Sequence, residues 1–261
     1  FTDAAYIAVK ALYDQRLPII MTEHSSVINQ ARLSERQMNT ANYAYSNVNE
    51  IVAVSPSLQN TILKKFNYHS KYIPNIVDLE TFGFDEACKA ESHYKIVSVG
   101  NLISLKAMDI LIKQFAKFKA IVADASLEIF GEGPERKNLE FLIKSLNIEG
   151  SVKLHGLCPR QILAATLKRS DAFVLASRSE TFGVAYIEAL SCGVPVIATK
   201  CGGPEAFVHK GNGILVPVDD EEALLDAMKT MHRNRDLYNR KQIAAETAMK
   251  FSPDAVASQL E

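Results

Sequence analysis

The sequence lacks several features that would place a protein in a specialised class. It has no run of about 18 apolar residues, so no segment is predicted to cross a membrane as a helix. Its first segment carries charges and no long apolar stretch, so no signal peptide is predicted. The formal net charge is only -1, which gives no reason to expect nucleic acid or another polyanion as a partner.

Cysteine is scarce and is not spaced for metal binding. The sequence has 4 cysteines and no CxxC pair. They are Cys88, Cys158, Cys192 and Cys201. Free thiols in a reducing, cytoplasmic compartment are therefore expected, rather than a disulfide or a metal site.

What is present is the composition of an ordinary globular protein. Apolar residues make up 48% and charged residues 23% of the 261 residues. A chain of this length can bury the core of one large domain or of two smaller ones.

From Tyr94 onward, short apolar runs alternate with segments of helical period. The predicted strands are Lys95–Val99, Ser126–Phe130, Ser151–Leu154, Ala172–Ala176, Pro195–Thr199 and Gly213–Val216. These runs are almost continuously apolar, as expected of strands that are covered on both faces. The segments between them are amphipathic, for example at Met108, Leu111, Ile112 and Phe115. This alternation predicts a doubly wound parallel sheet, that is, a Rossmann-like α/β domain.

The first 75 residues repeat the alternation in a shorter form. The predicted elements are strand Leu17–Thr22, helix Leu33–Asn49, strand Ile51–Ser55, helix Pro56–Phe66 and strand Lys71–Ile73. Pro74 and Asn75 break the last strand and mark the predicted domain boundary. Because about 75 residues is small for an α/β domain, and the chain begins at Phe1, this domain is expected to be incomplete at its N-terminus.

The predicted organisation is therefore a partial N-terminal domain at 1–75 and a second domain at 76–245. The second domain ends in predicted helices at Glu221–His232 and Arg235–Lys250, and a short helix opens at Ser252. Residues 246–261 are expected to cross back to the first domain.

Candidate ligand-binding residues follow the strands, because open parallel sheets bind ligands beyond the carboxyl ends of their strands. Gly100 and Asn101 follow the strand Lys95–Val99, and Lys106 is expected to open the next helix. Gly131 and Gly133 follow Ser126–Phe130 as a glycine-rich turn, and an ordinary tight turn is the alternative there.

The segment after Ala172–Ala176 is the most informative, because it combines a glycine, a helix start and two carboxylates. The backbone N–H groups of Gly183 and Val184 are predicted at a helix N-terminus, which favours a phosphate. Lys106 supplies a mobile cation to the same phosphates. Glu180 and Glu188 each offer a carboxylate that can accept two hydrogen bonds, as a vicinal sugar diol requires.

The motifs as a set resemble those of retaining GT-B glycosyltransferases of the group 1 (family 4) type. The segments that carry the resemblance are Thr22–His24, Tyr72–Asp78, Val97–Lys106, Ile129–Arg136, Glu180–Ala198, Gly202–Glu205 and Gly211–Val216. They match in order and spacing over nearly the whole chain. The resemblance implies a GT-B-like α/β fold with a complete C-terminal Rossmann-like domain.

The resemblance also implies a function: transfer of a hexosyl residue, with retention, from a nucleotide diphosphate sugar, UDP- or GDP-linked, to a sugar or lipid-linked acceptor. It implies no metal and no cofactor besides the donor, which the lack of a DxD element supports, and it is compatible with peripheral membrane association. It assigns Glu188 to the ribose, Glu180 to the donor hexose, Lys106 to the diphosphate, and His24 to the side of the donor sugar. The implied catalytic residues are His24, Lys106 and Glu180. The implied donor-binding residues are Gly100, Asn101, Lys106, Gly131, Gly133, Glu180, Phe182, Gly183, Val184 and Glu188.

Two departures from the family pattern keep an alternative open. Asn101 stands where the family has an arginine, and Ala107 stands where it has a glycine. A non-catalytic sugar-nucleotide-binding protein of the same fold is therefore the second hypothesis. A nicotinamide-dependent dehydrogenase is excluded, because no GxGxxG follows the first strand. His155 is expected to be a packed or capping residue, and Arg178 is either a donor contact or a surface cation.

Overall fold

The computed structural model describes residues 2–12, 17–88 and 93–259. Its strands are β1 (Ile20–Glu23), β2 (Glu50–Ala53), β3 (Lys71–Tyr72), β4 (Lys95–Val99), β5 (Ser126–Phe130), β6 (Val152–Gly156), β7 (Ala172–Leu175), β8 (Val196–Thr199) and β9 (Gly213–Val216). Its helices are α1 (Asp3–Leu12), α2 (Glu35–Ser46), α3 (Pro56–Phe66), α4 (Leu79–Phe82), α5 (Met108–Lys119), α6 (Arg136–Ser145), α7 (Arg160–Lys168), α8 (Val184–Ser191), α9 (Glu221–Arg233), α10 (Arg240–Phe251) and α11 (Pro253–Ala257).

The strands form two parallel sheets. The first has the order β1-β2-β3, and the second has the order β6-β5-β4-β7-β8-β9. All of the strand pairs described in both sheets are parallel. The change from one sheet to the other falls between Tyr72 and Lys95. In the second sheet, successive connections run outward in opposite directions from the central pair β4 and β7. A crevice opens beyond the carboxyl ends of the strands at such a point.

The apolar runs of the sequence form the centre of the second sheet, as predicted. Every residue of β7 and of β8 is buried, because helices cover both faces of the sheet. Among these helices, α5 packs beside α9, and α8 packs beside α10. Phe173 of β7 and Tyr186 of α8 meet edge to face, with ring centroids 5.3 Å apart. Such a packed core holds the ends of β4 and β7 in fixed positions.

The C-terminal helix predicted over Arg235–Lys250 is wrong in its first turn. The chain instead forms a 3-10 turn at Arg235–Leu237, and Tyr238 is extended. The helix α10 starts at Arg240 because the Asn239 side chain caps it, accepting a hydrogen bond from the backbone N–H of Gln242 at 3.1 Å. The helical period of the sequence continues across this break, so it did not reveal the cap.

The last helix, α11, contacts the first sheet. Its Val256 is buried against Val52 of β2 and Ile73, which directly follows β3. The backbone N–H of Val77 also donates to the carbonyl of Phe251 at the end of α10, at 2.8 Å. The C-terminal segment and the first sheet thus share a small apolar cluster.

Candidate functional site

An ion pair joins the ends of the two central strands. The Nζ atom of Lys106, after β4, lies 2.6 Å from Oε1 of Glu180, after β7. The Ser177 hydroxyl donates to the same oxygen at 2.7 Å. Both charged side chains are mostly buried, with 19% of Lys106 and 10% of Glu180 exposed. The structure thus brings two sequence-predicted site residues together, and Ser177 joins them as a residue that the sequence did not indicate.

Glu180 is held in place by its backbone as well as by its side chain. Its N–H donates to the carbonyl of Cys201 at 3.2 Å, and its carbonyl accepts from the N–H of Gly203 at 3.0 Å. These bonds form a short parallel bridge between Glu180 and Gly202, beyond the end of β8. The carboxylate is therefore fixed relative to the sheet, although it lies outside any strand.

Lys106 does not open a helix, contrary to the sequence prediction. It ends a 3-10 turn, Ser104–Lys106, and α5 begins only at Met108. The intervening Ala107 has a left-handed backbone with φ 47°, a conformation that favours glycine. Helix-period spacing and the good helix propensity of alanine concealed this turn.

Arg178 and His155 each lie beside a carboxylate. Nε of Arg178 lies 2.8 Å from Oδ1 of Asp219, so this guanidinium is held at the edge of the loop. Nε2 of His155 lies 3.1 Å from Oε2 of Glu128, and its ring stacks on Phe130 with centroids 4.4 Å apart. His155 thus stacks on an aromatic ring while the residue as a whole stays exposed.

The predicted glycines after β4 and β5 lie in two loops that pack on each other. Gly131 has φ 138°, and a β-carbon on it would lie 2.0 Å from the carbonyl oxygen of Gly100. The N–H of Leu102 donates to the carbonyl of Glu132 at 2.9 Å, next to Gly133. This close approach requires glycine at 131 whether or not a ligand binds. Asn101, between these contacts, is exposed.

The helix α8 begins without a side-chain cap. Gly183 precedes it with a left-handed backbone at φ 95°, and no side chain accepts from the first N–H groups of this helix. Val184 is 39% exposed, so its backbone lies near solvent. The unsatisfied N–H groups and the helix dipole make this end suitable for an anion.

Phe182, predicted to bind the donor, lies in the core instead. Its ring packs against Phe207 at 5.2 Å and Phe251 at 5.7 Å between centroids, and 1% of the residue is exposed. Its side chain is therefore unavailable to a ligand, and only its backbone adjoins Gly183.

Glu188 has a different cation from that of Glu180. Nη2 of Arg160 lies 3.1 Å from Oε1 of Glu188, and the guanidinium carbon lies 4.8 Å from the centre of the Phe82 ring. Burial raises the pKa of Glu188, and Arg160 partly opposes this shift. Sequence reasoning missed Arg160, although it opens α7 shortly after β6, at the same edge of the sheet as the other strand ends.

The segment after β1 meets the loop that carries Glu180. The Thr181 hydroxyl donates to the backbone carbonyl of His24 at 3.0 Å, and Nδ2 of Asn29 donates to the Ser179 hydroxyl at 3.1 Å. The turn that presents His24 is held by the buried Glu23, which accepts from the N–H of Ser25 at 2.8 Å. His24 is exposed, and its backbone carbonyl contacts Thr181 of the Glu180 loop.

Three further structural findings concern the described residues. They contain no group of three or more His, Cys, Asp or Glu side chains that could hold a metal ion. None of their helices is long and apolar enough to cross a membrane. All four cysteines lie among them and are free thiols, as predicted.

These features are typical of a GT-B-type α/β protein: two parallel sheets whose loops meet, with a lysine, two carboxylates and an uncapped helix N-terminus following the strands of the second sheet. The family model for glycosyl transferases group 1 matches residues 84–248. The chain belongs to this glycosyltransferase family, as the sequence motifs predicted.

Individual relatives agree with this assignment. The chain is 29% identical to N-acetyl-alpha-D-glucosaminyl L-malate synthase of Bacillus anthracis, over 98% of this chain and 70% of that protein. It is 35% identical over 67% of its length to a Campylobacter jejuni enzyme, N-acetylgalactosamine-N,N'-diacetylbacillosaminyl-diphospho-undecaprenol 4-alpha-N-acetylgalactosaminyltransferase, of which it spans 48%.

A solved structure confirms the fold. The Anabaena protein Alr3699/HepE in complex with UDP superimposes with a TM-score of 0.86 at 20% identity, over 100% of this chain and 75% of that one. The same Anabaena protein has also been crystallised with UDP-glucose.

Proposed function

We propose that this chain transfers a hexosyl residue from a nucleotide diphosphate sugar, with retention of anomeric configuration and without a metal ion. The Lys106–Glu180 ion pair at the end of β4 and β7 carries the proposal, because it places a cation and a carboxylate beside the uncapped start of α8. A uridine diphosphate donor is favoured, since the Anabaena relative in fold binds UDP and UDP-glucose.

Each group has a proposed role in this site. Lys106 and the N–H groups of Gly183 and Val184 neutralise the diphosphate as it leaves, and Glu180 binds hexose hydroxyls. Glu188 binds the ribose, and His24 faces the donor sugar from the first sheet. No side chain acts as a nucleophile in this scheme, so catalysis rests on positioning and on electrostatic stabilisation of the leaving group.

The acceptor is proposed to be a sugar or a lipid-linked glycan. The name of the Campylobacter enzyme includes a diphospho-undecaprenol acceptor, which supports the lipid-linked class. A lipid-linked acceptor would place the working protein at a membrane surface. In this proposal, residues 76–245 bind the donor and residues 1–75 form the acceptor side. Residues 246–261 cross from the second domain to the first.

Substitution of Glu188 and of Glu180 tests this function, because the two variants are expected to lose different properties. Glu188→Gln removes a contact to the non-reacting ribose, so it is expected to weaken UDP and UDP-sugar equally. Glu180→Gln is expected to leave UDP affinity within about twofold of wild type but to lower turnover, because charge develops at the hexose in the transition state.

Calorimetry with UDP and UDP-glucose, together with turnover assays, measures both effects. Glu149→Gln, at an exposed glutamate just before β6, is the control for loss of a carboxylate. A Glu180→Gln variant that loses UDP while Glu188→Gln keeps it would reverse the assignment of roles. No binding of UDP, GDP or ADP at millimolar concentration would contradict the proposal as a whole.

A further inference from the structure

Glu188 combines deep burial with a single charged partner. It is 7% exposed, and its Oε1 lies 3.1 Å from Nη2 of Arg160 in an ion pair. Oε2 makes no hydrogen bond to any described residue. A buried carboxylate with one cation depends strongly on that cation for its charge.

Arg160 is itself supported by an aromatic platform. Its guanidinium lies 4.8 Å above the ring of Phe82, which is 0% exposed. The Phe82 carbonyl accepts from the Ser191 hydroxyl at 2.9 Å and from the Cys192 thiol at 3.2 Å, which ties α4 to the end of α8. The platform and the carboxylate thus belong to one packed unit, while 57% of the Arg160 side chain stays exposed.

We propose that Arg160 is a positioning residue for the nucleotide ribose, holding the Glu188 carboxylate ionised and oriented so that it accepts hydrogen bonds from both ribose hydroxyls. This inference rests on the proposed function, since it requires a ribose at Glu188. Oε1 can accept from Arg160 and from one hydroxyl at once, because a carboxylate oxygen has two lone pairs. Oε2 then serves the second hydroxyl.

The other charged groups that affect the pKa of Glu188 do not favour its ionised form as Arg160 does. Asp78, which caps α4, raises the pKa of Glu188, as burial does. Cys192 lies further along α8, and burial raises the pKa of its thiol to about 12, so the thiol is neutral near pH 7. Lys168 and Arg240 lower the pKa of the Cys192 thiol. Neither of them is a cause of the shift in the pKa of Glu188. Among the causes of the Glu188 shift, Arg160 is the one cation.

The sign of the pH effect follows from these causes. Burial favours the neutral carboxyl and Arg160 favours the carboxylate, so removal of Arg160 raises the pKa of Glu188 further. A protonated Glu188 cannot accept from both hydroxyls as the anion does. In an Arg160 variant, nucleotide affinity should therefore be retained at high pH and lost as pH falls, at a higher pH than in wild type.

The test compares Arg160→Met, which keeps the aliphatic stem, with Arg160→Lys, which keeps the charge. UDP affinity is measured by calorimetry between pH 5.5 and 8.5, and each variant is divided by wild type so that titration of the ligand phosphate cancels. We expect the Arg160→Met ratio to fall by about tenfold from high to low pH. Arg160→Lys should restore most of the wild-type profile, and a Glu188→Gln background should abolish the pH dependence of the ratio.

A ligand-independent measurement separates this inference from the proposed function. The carboxyl carbon of Glu188, assigned with Glu188→Gln, is titrated by NMR in wild type and in Arg160→Met. A rise in the titration midpoint supports the inference even if UDP does not bind. An unchanged midpoint overturns it. An affinity loss that is equal at every pH also overturns it, because Arg160 would then contact the nucleotide directly.

Discussion

The Thr181 hydroxyl donates to the backbone carbonyl of His24 at 3.0 Å, although 157 residues separate them in sequence. A second bond, from Asn29 to Ser179 at 3.1 Å, lies beside it. Together they fix the turn after β1 against the loop that carries Glu180. A sugar bound between His24 and Glu180 would therefore be held by groups whose separation is set by two side-chain hydrogen bonds.

Replacement of Thr181 should affect the sugar more than the nucleotide. Thr181→Val removes one neutral hydrogen bond, so we expect about 2- to 10-fold weaker binding of UDP-glucose and little change for UDP. Thr181→Ser keeps the hydroxyl and is the control. Calorimetry with both ligands measures the difference. Equal losses for UDP and UDP-glucose, or a serine variant as weak as the valine variant, would refute this role.

Loss of the Lys106 side chain should weaken binding of the nucleoside diphosphate more than binding of the nucleoside. Lys106→Ala removes a charge-assisted hydrogen bond, so UDP affinity should fall by about 10- to 150-fold while uridine affinity changes little. Lys113→Ala, which removes a half-buried lysine of α5 that is paired with Asp109, is the matched control. Equal losses for UDP and uridine would show that Lys106 does not touch phosphate.

The same lysine should also contribute to stability through Glu180. Lys106→Met leaves a mostly buried carboxylate without its cation, so we expect a loss of about 1–3 kcal/mol in the free energy of unfolding. The double variant Lys106→Met/Glu180→Gln should recover part of this loss, because the amide is neutral. Urea denaturation of the three proteins measures the coupling. A double variant that is less stable than Lys106→Met would contradict it.

Asn101→Arg should strengthen diphosphate binding. Asn101 is exposed after β4, where an arginine would add a cation beside Lys106. We expect about fivefold tighter binding of UDP at low salt, and a smaller gain at high salt because the charge is screened. Asn138→Arg, at an exposed position of α6, adds the same charge elsewhere. The same gain from both variants would point to a non-specific charge effect.

Gly131→Ala should destabilise the fold. The new β-carbon would meet the Gly100 carbonyl oxygen at 2.0 Å, and φ 138° is unfavourable for alanine. We expect a loss of more than about 2 kcal/mol in the free energy of unfolding. Gly150→Ala is the control, because an added β-carbon there has no neighbour within 4 Å. Thermal or urea denaturation compares them, and equal stability would contradict the loop packing described.

Local signals allowed much of the fold to be predicted. The helix Pro56–Phe66 matches its prediction at both ends, because Ser55 caps it, proline starts it, and Asn67 ends it in a left-handed conformation. The turn at Lys106 was missed because alanine at position 107 gives no sign of a positive φ. Prediction fails where tertiary contacts override local preference.

The candidate site, like the fold, could be predicted only in part. The expectation that ligands bind beyond the carboxyl ends of the strands identified Lys106 and Glu180. In the structure these two side chains form an ion pair across 74 residues of sequence. It did not identify Arg160, since nothing in the sequence pairs a residue after β6 with a carboxylate inside α8. The family resemblance, rather than position after a strand, gave Phe182 as a donor-binding residue, and its ring packs in the core.

The contact of Val256 with Val52 and Ile73 has a consequence for the order of assembly. During synthesis, β2 and β3 leave the ribosome before the six-stranded sheet, and α11 leaves after it. The apolar side chains of Val52 and Ile73 therefore lack their contact with Val256 until α11 has been made. This corner of the first sheet is covered only when α11 packs against it. Burial of Val52 and Ile73 in the first sheet therefore depends on Val256, which lies near the far end of the described chain.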